Sequence, residues 1–269
     1  MTSVLAKQHL VPYLDGAVNW FEYGQGEPLV LLHGGHGNAQ HWIKNVQTLS
    51  AYYRVLVPDM PGFGASGVWG GNSVNDLLTP LIATLDILIG EDHSFDLMGF
   101  SFGALIAVNL ADRTQRVKKM ALLGAVGHGG TRRPKGEFIN WKPAYKNNNQ
   151  PELQRIMREN LSLHMLSSID RVDELALQIH TEACIATRFR SRDISRAGGM
   201  QELLHRYQGE LLLIWGEHDV TSFPEQVVKE LLGICPQAQA HIIPNVGHWV
   251  QYEAAPEVNK IFDQWLSSH

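Results

Sequence analysis

The amino-acid sequence predicts an α/β fold: a mostly parallel, doubly wound sheet carrying a helical insertion. Short continuous apolar runs such as "PLVLLHGG", "YRVLVPDM" and "ELLLIWGEHD" read as strands buried on both faces. They alternate with segments of helical periodicity, which makes the strands parallel with crossover helices between them. From about Gly127 to Gly198 that alternation stops, and a polar loop gives way to helix-like segments.

In chain order, "AVNWFEYG" alternates like a strand, and "PLVLLHGG" is a strand that stops at a glycine cluster. Asn38 to Leu49 reads as helix, "YRVLVPDM" as strand and "PGFGASG" as a loop rich in breakers. "NDLLTPLIATLDILIG" is an amphipathic helix, expected to break or kink near Pro80. The strand "SFDLMGF", the helix "SFGALIAVNLADR" and the strand "VKKMALLGAVG" complete a first part of the core, residues 1–126.

The insertion, residues 127–198, opens with "GHGGTRRPKGEFINWKPAYKNNNQ" and continues as "PELQRIMRENLSLHML" and "DRVDELALQIHTEACIATRFRSR". In such sheets ligands bind outside the carboxyl ends of the strands, so an insertion after this strand is expected to form a cap over that edge. The second part of the core, 199–269, resumes with "ELLLIWGEHD", "PEQVVKELLGIC", "AQAHIIPNVGH" and "PEVNKIFDQWLSS" as strand, helix, strand, helix.

Composition removes several classes of function. At 269 residues, 44% hydrophobic and 18% charged, the chain is long enough for one large domain with an insertion. A net charge of -5 and a pI near 6.2 argue against a nucleic acid partner. The two cysteines, Cys184 and Cys235, lie far apart, which suggests a reducing compartment and neither a disulfide framework nor a zinc ribbon. The 13 histidines lack zinc-ligand spacing, so no metal and no cofactor are expected. With no signal-like N-terminus and no run of about 18 apolar residues, the protein reads as soluble, cytoplasmic and free of membrane contact. Oligomeric state leaves no trace in the sequence.

"LMGFSFGALIA" puts Ser101 on the turn between a strand and a helix, with Gly99 and Gly103 two residues to either side. That G-x-S-x-G spacing suits a strained turn presenting a hydroxyl at the sheet edge, because larger side chains at the glycine positions would strike neighbouring backbone. A serine hydroxyl needs a base, and the base needs a group that fixes its tautomer. Asp219 follows one later strand and His248 the next, so both reach the same edge; Glu217 competes with Asp219, while His218 reads as a surface residue. An oxyanion on the substrate needs backbone N–H donors, which Phe102 and, in "HGGHGN", Gly35 are placed to supply.

These ordered motifs, from "LVLLHGG" through "VPDMPGFGASG", "MGFSFGA" and "WGEHD" to "VGHWVQYEAAPEVNKIFDQWL", resemble the α/β-hydrolase fold superfamily over nearly the whole chain. The nearest echo is with the meta-cleavage product hydrolases, which cut a carbon–carbon bond in vinylogous 1,5-diketone acids; it rests on the glycine-rich loop, the His248–Trp249 pair and Gln251 and Glu253 beyond it. The resemblance implies a Ser101, Asp219, His248 triad acting without a cofactor on a small carbonyl substrate: an ester, a lactone or such a diketone acid. This chain departs from that subfamily in its "SFG" elbow and in an oxyanion loop without proline. His180 falls near the place of the subfamily's cap arginine, and "RFRSRDISR" offers Arg188, Arg190, Arg192 and Arg196 to an anionic substrate instead. His36, Phe100, His180, Arg188, Arg192 and Trp249 are the expected substrate contacts. A perhydrolase or haloperoxidase-like enzyme would use the same triad, and a ligand-binding relative without activity would share only the fold.

Overall fold

The computed structural model describes residues 5–267. The strands are β1 (Lys7–Tyr13), β2 (Gly16–Tyr23), β3 (Pro28–Leu32), β4 (Arg54–Pro58), β5 (Phe95–Phe100), β6 (Val117–Leu123), β7 (Glu210–Gly216) and β8 (Gln239–Ile243). They form one eight-stranded sheet in the order β1-β2-β4-β3-β5-β6-β7-β8. β2 pairs antiparallel with β1 and β4, and every later pairing is parallel.

The strand period of two divides the core. In β3, Val30 and Leu32 join one apolar cluster while Leu29 and Leu31 join another; in β7, Leu211, Leu213 and Trp215 separate from Leu212 and Ile214 in the same way. Each cluster therefore occupies one face. Complete burial of such a Leu or Val is worth roughly 2 kcal/mol, which is why these runs are apolar on both sides.

Between β3 and β4 the expected helix is two short pieces, a 3-10 turn (Ala39–Trp42) capped by the Asn38 side chain and helix α1 (Val46–Leu49). Helix α2 (Val74–Ile89) starts at a Ser73/Asp76 capping box and runs unbroken through Pro80. The proline ring is buried, and the one bond it forfeits is to the carbonyl of half-buried Asp76, so the break expected there does not occur. Helix α3 (Phe102–Thr114) follows β5 directly.

Between β6 and β7 lie α4 (Lys142–Lys146), α5 (Gln150–His164), α6 (Glu174–Ala186), α7 (Arg192–Arg196) and α8 (Met200–Arg206). Leu153, Ile156, Met157 and Leu161 of α5 join the apolar cluster of Leu29 and Leu31, whereas Met200 and Leu204 of α8 join the opposite one. α9 (Pro224–Ile234), α10 (Val250–Glu253) and α11 (Ala255–Leu266) complete the chain. Among the described residues no helix is long and apolar enough to cross a membrane.

Candidate active site

Ser101 adopts φ 54° and ψ −115°, a conformation that costs a non-glycine residue on the order of 1–3 kcal/mol. Its N–H donates to the Leu123 carbonyl on β6 (2.8 Å), and its own carbonyl accepts from Ala104 N–H (3.0 Å). A Cβ on Gly99 would lie 2.6 Å from the Ala104 Cα, and one on Gly103 would lie 2.7 Å from the Leu32 carbonyl carbon. The glycine spacing is thus a steric requirement of the turn.

His248 Nε2 lies 2.8 Å from Ser101 Oγ, and His248 Nδ1 lies 2.7 Å from Asp219 Oδ2. Asp219 is fully buried and His248 nearly so. The second carboxylate oxygen, Oδ1, accepts from both the N–H and the hydroxyl of Thr221, each at 2.7 Å. Burial pushes the Asp219 pKa up, but the facing imidazole and the bonds from His248 and Thr221 outweigh it, leaving the pKa below its ordinary value. With Asp219 ionised, Nδ1 of the imidazole donates and Nε2 is left to accept the serine hydroxyl.

Neighbouring backbone fixes this pair. A Cβ on Gly124 would lie 3.0 Å from both Asp219 Oδ2 and His248 Nδ1, and Arg133 Nε donates to the Asp219 carbonyl at 2.7 Å. The Glu253 carboxylate accepts from Gly247 N–H (2.8 Å) and Ser167 N–H (3.0 Å), and Trp249 N–H donates to the Met165 carbonyl (2.7 Å). Glu217 is occupied elsewhere, accepting from Asn245 N–H at 2.8 Å.

Gly35 and Phe102 stand side by side: a Cβ on Gly35 would lie 3.6 Å from the Phe102 Cβ and 2.7 Å from Ser191 Oγ. Phe102 opens α3, where a backbone N–H has no intrahelical acceptor. The loop holding Gly35 is organised from beneath by His33, which donates from Nδ1 to the Gly34 carbonyl (2.8 Å). His41 Nδ1 accepts from Gly34 N–H at 3.2 Å.

Of the expected substrate contacts, Phe100 is fully buried with its ring centroid 5.0 Å from that of His248. Trp249 is also fully buried, stacked 4.1 Å from Tyr252 and donating through Nε1 to the His41 carbonyl. His36 stacks on Phe138 at 6.3 Å, and Phe138 lies 5.4 Å from His164. His180 is buried with Nε2 3.7 Å from Cys184 Sγ; burial, with His36 and His164 nearby, pushes its pKa down to about 3. Arg188 directs its guanidinium to the carbonyls of Gly64 (3.2 Å) and Ser66. Arg192 is exposed at the start of α7. Among the described residues no group of three His, Cys, Asp or Glu side chains is arranged to hold a metal ion.

The sequence reading passed over Thr221, Arg133, Gly124 and Ser191. Thr221 alone left a local signal, a hydroxyl two residues beyond an aspartate, where such side chains fold back onto one another. The others meet the site through tertiary contacts only.

Residues 29–261 match the alpha/beta hydrolase family, and the chain belongs to it, a family of hydrolases. It is similar to a 2-hydroxy-6-oxononadienedioate/2-hydroxy-6-oxononatrienedioate hydrolase of Cupriavidus pinatubonensis, with 30% identity over 90% of this chain and 87% of the relative. It is also similar to the dihydrolipoyllysine-residue acetyltransferase component of an acetoin cleaving system from Pseudomonas putida, 29% identical over 94% of this chain and 67% of the relative. Among solved structures, a meta-cleavage product hydrolase variant from Pseudomonas fluorescens IP01 superposes with a TM-score of 0.76, 24% identity and 97% of each chain covered, a likeness of fold.

Proposed function

We propose that the protein is a serine hydrolase in which Ser101, His248 and Asp219 act as nucleophile, general base and orienting carboxylate on a small carbonyl substrate. The observation that carries this reading is the unbroken hydrogen-bonded chain from Asp219 through His248 to Ser101, at 2.7 and 2.8 Å. His248 takes the Ser101 proton as Oγ attacks the carbonyl, and Asp219 holds the imidazolium that forms. The N–H groups of Phe102 and Gly35 receive the oxyanion; a donor in that position is typically worth about 10²–10³ in kcat. Water then attacks the acyl-enzyme with His248 again as base.

The same machinery serves esters and lactones directly. For a vinylogous diketone acid it would first assist ketonisation and then cleave the carbon–carbon bond, a reading supported by the similarity to hydrolases named for such dienoates. Residues 127–198 would act as the cap that shapes the pocket, with His180 and His36 at its lining and Phe100 behind the base. The neutral state that burial imposes on His180 favours a polar, uncharged contact from that side chain over a permanent cationic anchor.

The test is turnover of short and medium p-nitrophenyl esters and of a coloured 2-hydroxy-6-oxo-dienoate by the wild-type and Ser101→Ala proteins. Serine-dependent bleaching of the dienoate identifies a carbon–carbon hydrolase, and serine-dependent ester turnover alone an esterase or lactonase. Peroxide-dependent halogenation would instead identify the perhydrolase-like alternative, and failure of an organophosphonate to label Ser101 a binding protein without activity.

A further inference from the structure

Ser191 stands at the start of α7, where a serine ordinarily caps the helix by accepting a backbone N–H. Here it does not: its backbone is already helical, at φ −76° and ψ −14°, and its side chain makes no capping bond. The residue is only 5% exposed, and among the described residues its hydroxyl meets no hydrogen-bond partner. A buried hydroxyl in that state is costly to keep and calls for an explanation.

The hydroxyl lies against the loop that carries Gly35. A Cβ on Gly35 would come within 2.7 Å of Ser191 Oγ, too close for any real side chain. Gly35 is not held in the left-handed region, so its backbone does not call for glycine; the space taken by the Ser191 hydroxyl does. The same Cβ would lie 3.6 Å from Phe102 Cβ, and one on Gly34 would lie 3.2 Å from Ser101 Cβ. The hydroxyl, the glycine loop and the first turn of α3 therefore converge beside the nucleophile.

The residues before Ser191 are fastened to the loop after β4. Arg188 N–H and Phe189 N–H both donate to the Gly62 carbonyl, at 2.8 and 3.1 Å. Arg190 N–H donates to Asn72 Oδ1, and Asn72 Nδ2 returns a bond to the Arg190 carbonyl, each at 2.7 Å. The Phe189 ring sits 5.8 Å from that of Phe63 and 5.9 Å from that of Phe102. Three consecutive residues thus fix the place of the next, and a donor fixed in advance costs no reorganisation when charge develops.

Resting on the serine-hydrolase reading, we propose that the Ser191 hydroxyl is a third donor of the oxyanion hole, supplied from the chain between β6 and β7. The alkoxide formed when Ser101 Oγ attacks the carbonyl has three lone pairs. The N–H groups of Gly35 and Phe102 meet two of them, and Ser191 Oγ–H rotates to meet the third. A hydroxyl bonds more strongly to an anionic oxygen than to a neutral carbonyl, so the contact raises kcat rather than lowering KM. Ser191 keeps its proton throughout, and no covalent bond forms at it.

The experiment measures kcat and KM for whichever p-nitrophenyl ester or dienoate the wild type turns over fastest, together with inhibition by butyl trifluoromethyl ketone. Ser101 converts that ketone into a hemiketal oxyanion, so its inhibition constant reports on the hole itself. In Ser191→Ala, kcat is expected to fall at least about tenfold with KM within about twofold, and the inhibition constant to rise by about as much as kcat falls. Ser191→Gly deletes the same hydroxyl and is expected to match.

A kcat within about twofold of wild type in both variants, a change confined to KM, or a loss of kcat with undiminished inhibition overturns the proposal. Turnover that is absent, or that survives Ser101→Ala, removes the serine-hydrolase reading and the proposal with it. Turnover that needs Ser101 and ignores Ser191 overturns the proposal alone.

Discussion

The backbone N–H of Met60 donates to Nε2 of His33 across 2.9 Å, tying the end of β4 to the loop that carries Gly35. Because His33 Nδ1 is committed to the Gly34 carbonyl, both ring nitrogens are used and the imidazole must be neutral. Burial pushes its pKa down to about 4.

That arrangement makes the fold acid-sensitive. The unfolded chain protonates His33 near the ordinary 6.5 while the native state resists to about 4, so the stabilisation is fully present above 6.5 and is lost as pH falls towards 4. Protonation of His33 lowers stability progressively across that window, and His180, pushed down to about 3, acts in the same direction. Urea denaturation between pH 7.5 and 4 is expected to show a steady fall in stability, with a shallower slope in His180→Leu. A flat profile would contradict the neutral state assigned to both rings.

Ser101→Ala should lower turnover by a factor on the order of 10⁶ with an unchanged melting temperature, since the serine makes its structural bonds through backbone. Asp219→Asn should cost about 10⁴ in kcat by presenting the wrong tautomer of His248. Retained turnover in either variant would remove that residue from the mechanism.

Thr221→Val deletes one of two donors to Asp219 Oδ1. A drop of roughly 10-fold in kcat, about 1.4 kcal/mol, is expected with little change in KM. An effect confined to KM would mean that Thr221 contacts substrate rather than positioning the carboxylate.

Gly103→Ala places a methyl group against the carbonyls of Leu32 and His33. Relief requires α3 to move away from β3, so destabilisation by about 3 kcal/mol or more is expected, against about 1 kcal/mol of stabilisation for the same exchange in an open helix. A melting temperature at or above wild type would show that the elbow has slack.

Arg188→Met should loosen the loop of residues 62–66, whose Gly64 and Ser66 carbonyls the guanidinium holds. A loss of about 1–2 kcal/mol is expected, with KM raised equally for anionic and neutral esters. A selective rise for anionic esters would restore Arg188 as a substrate anchor.

The parallel part of this fold was legible because strands buried on both faces are written as unbroken apolar runs; Leu29 to Leu32 and Leu211 to Trp215 need no context to be read. β1 was not legible. It is an edge strand with Pro12 inside it, Leu10 exposed and Val11 buried, so neither periodicity nor composition separates it from a loop. Asp219 and His248 could be placed at a strand end from local sequence, whereas Arg133 and Gly124 come to them from an earlier strand end. The surroundings of Arg188 were hidden for a related reason: a basic segment looks the same whether its guanidinium faces a ligand or, as its bond to the Ser66 carbonyl shows here, a neighbouring loop.

Chain order separates Ser101, Asp219 and His248 in time as well as in sequence. β5 and Ser101 lie at the middle of the sheet and emerge early during synthesis, but Asp219 and His248 follow β7 and β8, the two strands added last at one edge. At about 5–20 residues per second a nascent chain therefore carries Ser101 for roughly 7–30 seconds before His248 is made, a span in which the proposed nucleophile would lack its base. On the proposed mechanism reactivity would wait for the final edge strand to dock and for Glu253 to fasten the loop before His248. On that mechanism a partly made or C-terminally clipped copy of the protein would be silent towards carbonyl compounds.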